Sequence, residues 1–218
     1  MRKPDRVLTV LVFIIAHTLA VAGGGVAAQP DEAKEPPIQY TLSVGDKSIK
    51  LTEGQDVRLE GSFTNPQVSL RAEPYREFSA QGIKFQYPRG FTFEADLSDP
   101  ASKSWTLSGT SCTLMLFVMN EKITAEEFSQ VMIRQFGQQN CRVADPKAEL
   151  TLGKEKLTGI GLRIKVATTQ LSQDIYLISS QPGLSRMMIV QDSLDDQGNP
   201  SPDRKTTLEV LAKSFELK

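Results

Sequence analysis

Beyond position 17, this chain of 218 residues contains no histidine. The absence removes Ser-His-Asp and Cys-His catalysis, imidazole acid/base chemistry and His-ligated zinc or copper from everything downstream of His17. Cysteine is almost as scarce. The two residues, Cys112 and Cys141, lack the Cys-x-x-Cys spacing of a thioredoxin-type redox site. With no histidine beside them, a tetrahedral zinc site would have to recruit two carboxylates, so no metal and no cofactor is expected. There is no Walker-type glycine loop, no Gly-x-Ser-x-Gly elbow and no His-Glu-x-x-His. Gly159-Ile160-Gly161 lies inside a strand pattern and reads as a β-bulge. Charge is also without excess: 25 Lys+Arg stand against 26 Asp+Glu, which gives no reason to expect a nucleic-acid partner.

Long apolar runs are confined to the N-terminus. Arg2, Lys3 and Arg6 precede an apolar stretch from Val7 to Val21, and small residues follow at Ala20-Val21-Ala22 and Val26-Ala27-Ala28. This is the pattern of a secretory signal peptide over residues 1–28, with cleavage near Ala22 or Ala28. The apolar stretch is shorter than the roughly 20 residues that span a bilayer, so no stable membrane insertion is expected after cleavage, and the product should be periplasmic or secreted. In such a compartment the two cysteines most simply form a disulfide, Cys112 to Cys141, worth roughly 3.5 kcal/mol by loop-closure entropy.

What remains is strand-like. Residues 29–37 are polar and end in Pro36-Pro37, a linker. Over 38–77, alternation through Tyr40, Leu42 and Val44, then Ile49 and Leu51, Val57 and Leu59, and Val68 and Leu70 predicts a small β meander. Pro74 to Ala80 reads as a connector, and the main domain occupies 78–218. Ile83, Phe85 and Tyr87 alternate into Pro88-Arg89-Gly90, and Phe91 and Phe93 alternate away, which predicts a hairpin with aromatic pairs. Cys112, Leu114, Leu116 and Val118 point one way, and Thr113, Met115, Phe117 and Met119 the other. An apolar run of this kind needs cover on both faces. Thr124 and Glu127 form a capping box ahead of Phe128, Val131, Met132 and Phe136, with Gly137 as the stop: an amphipathic helix. Strands from Ala148 to Gln191 are joined by short turns, one at Gln181-Pro182-Gly183, and Ser201-Pro202 opens a second helix bearing Leu208, Leu211, Ala212 and Phe215. The expectation is an α+β fold: an antiparallel sheet with helices on both faces, an α/β/α sandwich preceded by the meander.

Between the last strand and the last helix lies a polar loop with Asp192, Asp195, Asp196 and Asn199. Its spacing does not match a calcium-binding EF-hand, so it reads as a solvated loop and a candidate interaction surface. No local motif nominates a pair of carboxylates for hydrolysis.

Gly82-Ile83-Lys84-Phe85-Gln86-Tyr87-Pro88, the Trp105 strand, the capped helix, Gln173-Asp174-Ile175-Tyr176 and the closing Ser214-Phe215 together resemble a PsbP/DcrB-like domain over residues 78–218. The resemblance implies an α/β/α sandwich in extracytoplasmic proteins that assist or bind larger assemblies, mostly without enzymatic activity. The expected function is therefore that of an exported, non-enzymatic accessory or binding protein of the cell envelope, acting through contacts with an envelope protein or assembly. The alternatives are a carboxylate-based hydrolase and a small-molecule or lipid carrier that uses the aromatic hairpin.

Overall fold

The computed structural model describes residues 31–181 and 183–218. The expected leader with its cleavage positions near Ala22 and Ala28, and Pro182 of the expected Gln181-Pro182-Gly183 turn, lie outside the described residues. A short 3-10 turn, Asp31–Ala33, begins the described chain. Strands β1 (Gln39–Val44), β2 (Lys47–Thr52) and β3 (Val68–Ala72) form an N-terminal sheet in the order β2-β1-β3. Strands β4 (Tyr75–Ala80) and β5 (Ile83–Pro88) begin a second small sheet. The main sheet is built from β6 (Thr92–Asp99), β7 (Ser102–Ser108), β8 (Cys112–Met119), β9 (Cys141–Leu152), β10 (Glu155–Val166), β11 (Thr169–Gln181) and β12 (Leu184–Ser193), in the order β6-β7-β8-β12-β11-β10-β9. Helix α1 (Ala125–Phe136) follows β8, and α2 (Pro202–Ser214) follows β12. Two final residues, β13 (Glu216–Leu217), join the second sheet as β13-β5-β4.

Among the described residues strand makes up 54% and helix 15%, with thirteen strands in three antiparallel sheets. The fold is therefore β-rich, and the expected α/β/α sandwich is corrected. The physical reason lies in the cover over the first face of the main sheet. Helix α2 supplies only part of it, through Leu211 and the Phe215 that follows its last turn. The rest comes from the second sheet, through Phe78, Ala80, Ile83, Phe85 and Tyr87, packed against Trp105, Leu114, Leu116, Tyr176 and Met188. Helix α1 covers the opposite face with Phe128 and Met132 against Met115, Phe117, Leu162, Ile175 and Ile189. One sheet thus separates two apolar cores. The alternation of β8 divides as its sequence predicts, with Cys112, Leu114, Leu116 and Val118 in the first core and Met115, Phe117 and Met119 in the second.

The tightest local readings hold. Thr124 accepts from the Glu127 N–H at 3.1 Å, and the Glu127 carboxylate accepts from the Thr124 N–H at 2.9 Å. Gly137, with φ 82°, ends α1. The ladder of β9 on β10 slips between Gly159 and Leu162, which is the bulge expected at Gly159-Ile160-Gly161.

Three pairings differ from expectation. Tyr87 and Phe91 do not face each other, because β5 pairs with β4, with Phe78 opposite Phe85, while β6 leaves for the main sheet and pairs with β7. The expected connector from Pro74 to Ala80 is the strand β4, its Phe78 and Ala80 buried between exposed Glu77 and Ser79. In the N-terminal sheet there is no strand at Val57 and Leu59, and β3 pairs with β1 instead of following β2 around a meander.

The cysteines are also corrected. Both are free and buried, Cys112 in the first core and Cys141 in the second. Strands β12, β11 and β10 lie between β8 and β9, so their separation is roughly four strand spacings of about 4.8 Å, far beyond disulfide reach.

Candidate functional site

Three polar or exposed features outside the apolar cores could carry function. The first lies beneath the N-terminus of α2. Asp192, on β12, is fully buried, and both its oxygens are used by Ser201, which donates its N–H and its hydroxyl. Ser201 in turn caps α2 by accepting from the Arg204 N–H at 3.1 Å. Arg204 donates a charge-assisted bond to Asp174 on β11, and Asp203 accepts from the Ser111 N–H at 3.2 Å. Burial raises the Asp174 carboxyl above the ordinary aspartate range, with Arg204 working against the shift. Burial, reinforced by nearby Asp192, pushes the Cys112 thiol up to about 12. A carboxylate hydrolase would need two carboxyls facing each other across a cleft. Here Asp192 is already engaged by the α2 cap Ser201 and Asp174 by Arg204, and the groove beside α2 is lined by Ser201, Arg204 and Lys205 but by neither of these carboxylates. The cluster anchors α2 to the sheet.

The predicted interaction loop divides accordingly. Asp192 is an internal anchor. Asp195 accepts from the N–H groups of Gln197 and Asn199 and from the Asn199 side chain, which together hold its carboxyl below the ordinary range. Asp196 and Asn199 are exposed at the tip. Among the described residues, no group of three or more acidic or cysteine side chains could hold a metal ion.

The second feature is the segment expected to be a linker. Residues 31–37 strap across the main sheet: the Trp105 indole donates to the Glu32 carbonyl at 2.7 Å, and the Glu32 carboxylate accepts from the Gln81 N–H and side chain. Glu35 pairs with Arg76, and this bond raises the Arg76 guanidinium pKa. Burial pushes the neighbouring Tyr87 phenol up to about 12. Beneath the strap the aromatic side chains interlock. Phe78 stacks on Phe85 at 4.8 Å between ring centroids and meets Trp105 edge-on at 5.9 Å. The space bounded by Phe78, Phe85, Trp105 and Leu114 leaves no volume for a water-sized molecule. The space directly beneath Phe85 is filled, while a groove of about 350 Å³ lies between the strap residues Glu32, Pro36 and Pro37 and the side chains of Phe78 and Phe93.

The third feature is the N-terminal sheet, and it differs in kind. Its register places Tyr40, Leu42 and Val44 of β1, Ile49 and Leu51 of β2, and Val68 and Leu70 of β3 on one face. Thr41, Ser43, Lys50, Ser69 and Arg71 occupy the other. On the apolar face Ile49, Leu42 and Leu70 form a continuous row across the three strands. Lys47 also belongs to this face, opposite Val44; its ammonium reaches the Glu60 carbonyl at 3.0 Å and sits 5.6 Å from the centre of the Phe63 ring. The 60–63 segment thereby folds over the Val44 end, in keeping with the burial of Val44. The β3 end stays open: Val68 is 60% and Leu70 61% exposed. Exposed neighbouring apolar side chains on an ordered strand mark an interaction surface more than a core. Alternation alone could not reveal this, because a half-buried strand and an uncovered one share the same pattern.

No protein-family model matches this chain, and no curated protein matches it. Among solved structures, a crystal structure of a protein from Bacteroides thetaiotaomicron, determined at 1.50 Å, aligns with a TM-score of 0.41 and 13% identity. The alignment covers 67% of this chain and 49% of that one, so the match spans about half of the solved protein's length. Among the described residues, no helix is long and apolar enough to cross a membrane.

Proposed function

We propose that this chain is an exported, non-enzymatic accessory or binding protein of the cell envelope, acting through protein–protein contacts made by the apolar face of its N-terminal sheet. The observation that carries this reading is the row Ile49, Leu42 and Leu70, continued in exposure by Val68 and left uncovered at the β3 end. The basic-apolar-small leader pattern supports the compartment.

The test uses the purified chain as bait in envelope extract, crosslinked and read by mass spectrometry. The wild type should capture a reproducible, competable partner. A Val68→Asp/Leu70→Asp variant should lose at least about tenfold of that capture while the main-sheet unfolding midpoint stays put, since the N-terminal sheet pairs with no strand of the main sheet. Equal capture by both proteins would overturn the assignment of this face.

A further inference from the structure

The two outer edges of the N-terminal sheet are not alike. The β2 edge carries two lysines, Lys47 and Lys50, against the single charge Arg71 on β3, and charged side chains disfavour pairing at an edge strand. Across Val68–Ala72, β3 carries no lysine and no proline, and four of its five residues are exposed. Among the described residues, no strand pairs with its outer edge. The direction of its main-chain groups follows from two bonds. The Gly45 N–H donates to the Gln67 carbonyl at 2.9 Å, and the Glu73 N–H donates to the Gln39 carbonyl at 2.8 Å. Odd-numbered residues of this segment therefore turn toward β1. Val68, Leu70 and Ala72 turn their N–H and C=O groups away from the sheet.

We propose that this edge pairs with the same edge of a second copy of the chain, antiparallel and centred on Leu70. The segment is self-complementary about that point. Leu70 lies opposite the partner's Leu70, and Val68 opposite the partner's Ala72, so every outward N–H of the three residues meets an outward C=O. A slip by one residue would oppose outward groups to groups already bonded to β1 and would turn the apolar side chains to the wrong face. Pro66 and Pro74 stand four residues on either side of Leu70 and bound the ladder symmetrically. On the polar face Arg71 lies opposite the partner's Ser69, so no like charges are directly opposed, and the Glu73 carboxylate is already held by Thr41 and Lys50. The result is one six-stranded sheet in which the row Ile49, Leu42, Leu70 continues through the partner's Leu70 and onward. A hydrophobic row that ends at an edge in one chain becomes unbroken in two. The inference concerns the edge and not the face, and it does not rest on an envelope partner.

Sedimentation velocity on the purified chain over a concentration series tests it. The wild type should pass from monomer to dimer with micromolar affinity. Leu70→Pro removes an outward N–H while leaving the bonds to β1 intact, and should weaken the dimer at least about tenfold. A second measurement does not depend on how that variant folds. In the proposed register Leu70→Cys places two thiols on Cα atoms about 5.5 Å apart, within disulfide reach, whereas Val68→Cys places them several residues apart along the ladder. Mild oxidation should therefore link Leu70→Cys dimers and leave Val68→Cys largely monomeric, with the native thiols buried. A wild type that stays monomeric up to about 100 μM, or equal crosslinking of the two cysteine variants, would overturn the proposal.

Discussion

At Gly161 the main chain of β10 passes beside the Asp174 carboxylate, and two residues earlier, at Gly159, it passes closer still to β11. A Cβ at Gly159 would lie 2.0 Å from the Ile175 carbonyl oxygen, so the bulge needs a residue with no side chain there. Gly159→Ala should cost at least about 2 kcal/mol in denaturant unfolding, whereas Gly90→Ala, where nothing lies within 4 Å, should change stability by under about 0.5 kcal/mol. Asp174 supplies a pH signature. Its carboxyl is raised by burial, so over the interval between the ordinary aspartate pKa and its own, the folded state holds more protons than the unfolded one. Stability must then fall as pH rises through that interval and level off above it. Asp174→Asn should flatten that descent in unfolding midpoints measured across acidic pH. The buried thiols, one per core, should resist alkylation in the native protein and react only after unfolding, and a reductant should leave the melting temperature unchanged.

Elements differ in how far their residues disclose them. The cap at Thr124 and Glu127 and the two faces of β8 were legible because each depends on neighbours within a few positions, and the bulge at Gly159 was legible because two glycines one residue apart interrupt an otherwise apolar strand pattern. Thr124→Ala should accordingly cost about 1 kcal/mol. Pro88-Arg89-Gly90 does mark a change of direction, but a turn signal does not say which sheet receives the next strand, and β6 goes to a different one from β5. The strand β4 escaped because Arg76, Glu77 and Ser79 dominate its composition while only Phe78 and Ala80 enter the core. The strap carried no signal, since Glu32 and Glu35 acquire partners from Gln81 and Arg76, some forty or more residues away in the chain. Trp105, the sole tryptophan and 1% exposed, reports on that strap. Its emission should be blue-shifted in the native chain, and deleting residues 31–37 should move it toward the red without unfolding the main sheet.

Over the whole molecule, stability is distributed unevenly. The central strands β8, β12 and β11 of the main sheet are apolar on both faces and covered on both, while its edge strands β6 and β9 are largely exposed. The N-terminal sheet offers one apolar face and pairs with no strand of the other two sheets. Native-state hydrogen exchange should therefore show amides of β8, β11 and β12 opening only with global unfolding, and those of β1 and β2 opening at much lower cost. Dimerisation through β3 would slow exchange at Leu70 and Ala72 in step with protein concentration.

Because the main sheet walls off one core from the other, Leu116 and Phe117 are consecutive in the chain yet belong to separate packing problems. Truncations at these two positions should sum almost independently, whereas Leu116 and Trp105, which face each other in one core, should not. Such a layout lets a lineage revise one hydrophobic interior at a time: drift under α1 leaves the aromatic stack beneath the strap undisturbed, and the two sides can accumulate change on separate evolutionary clocks.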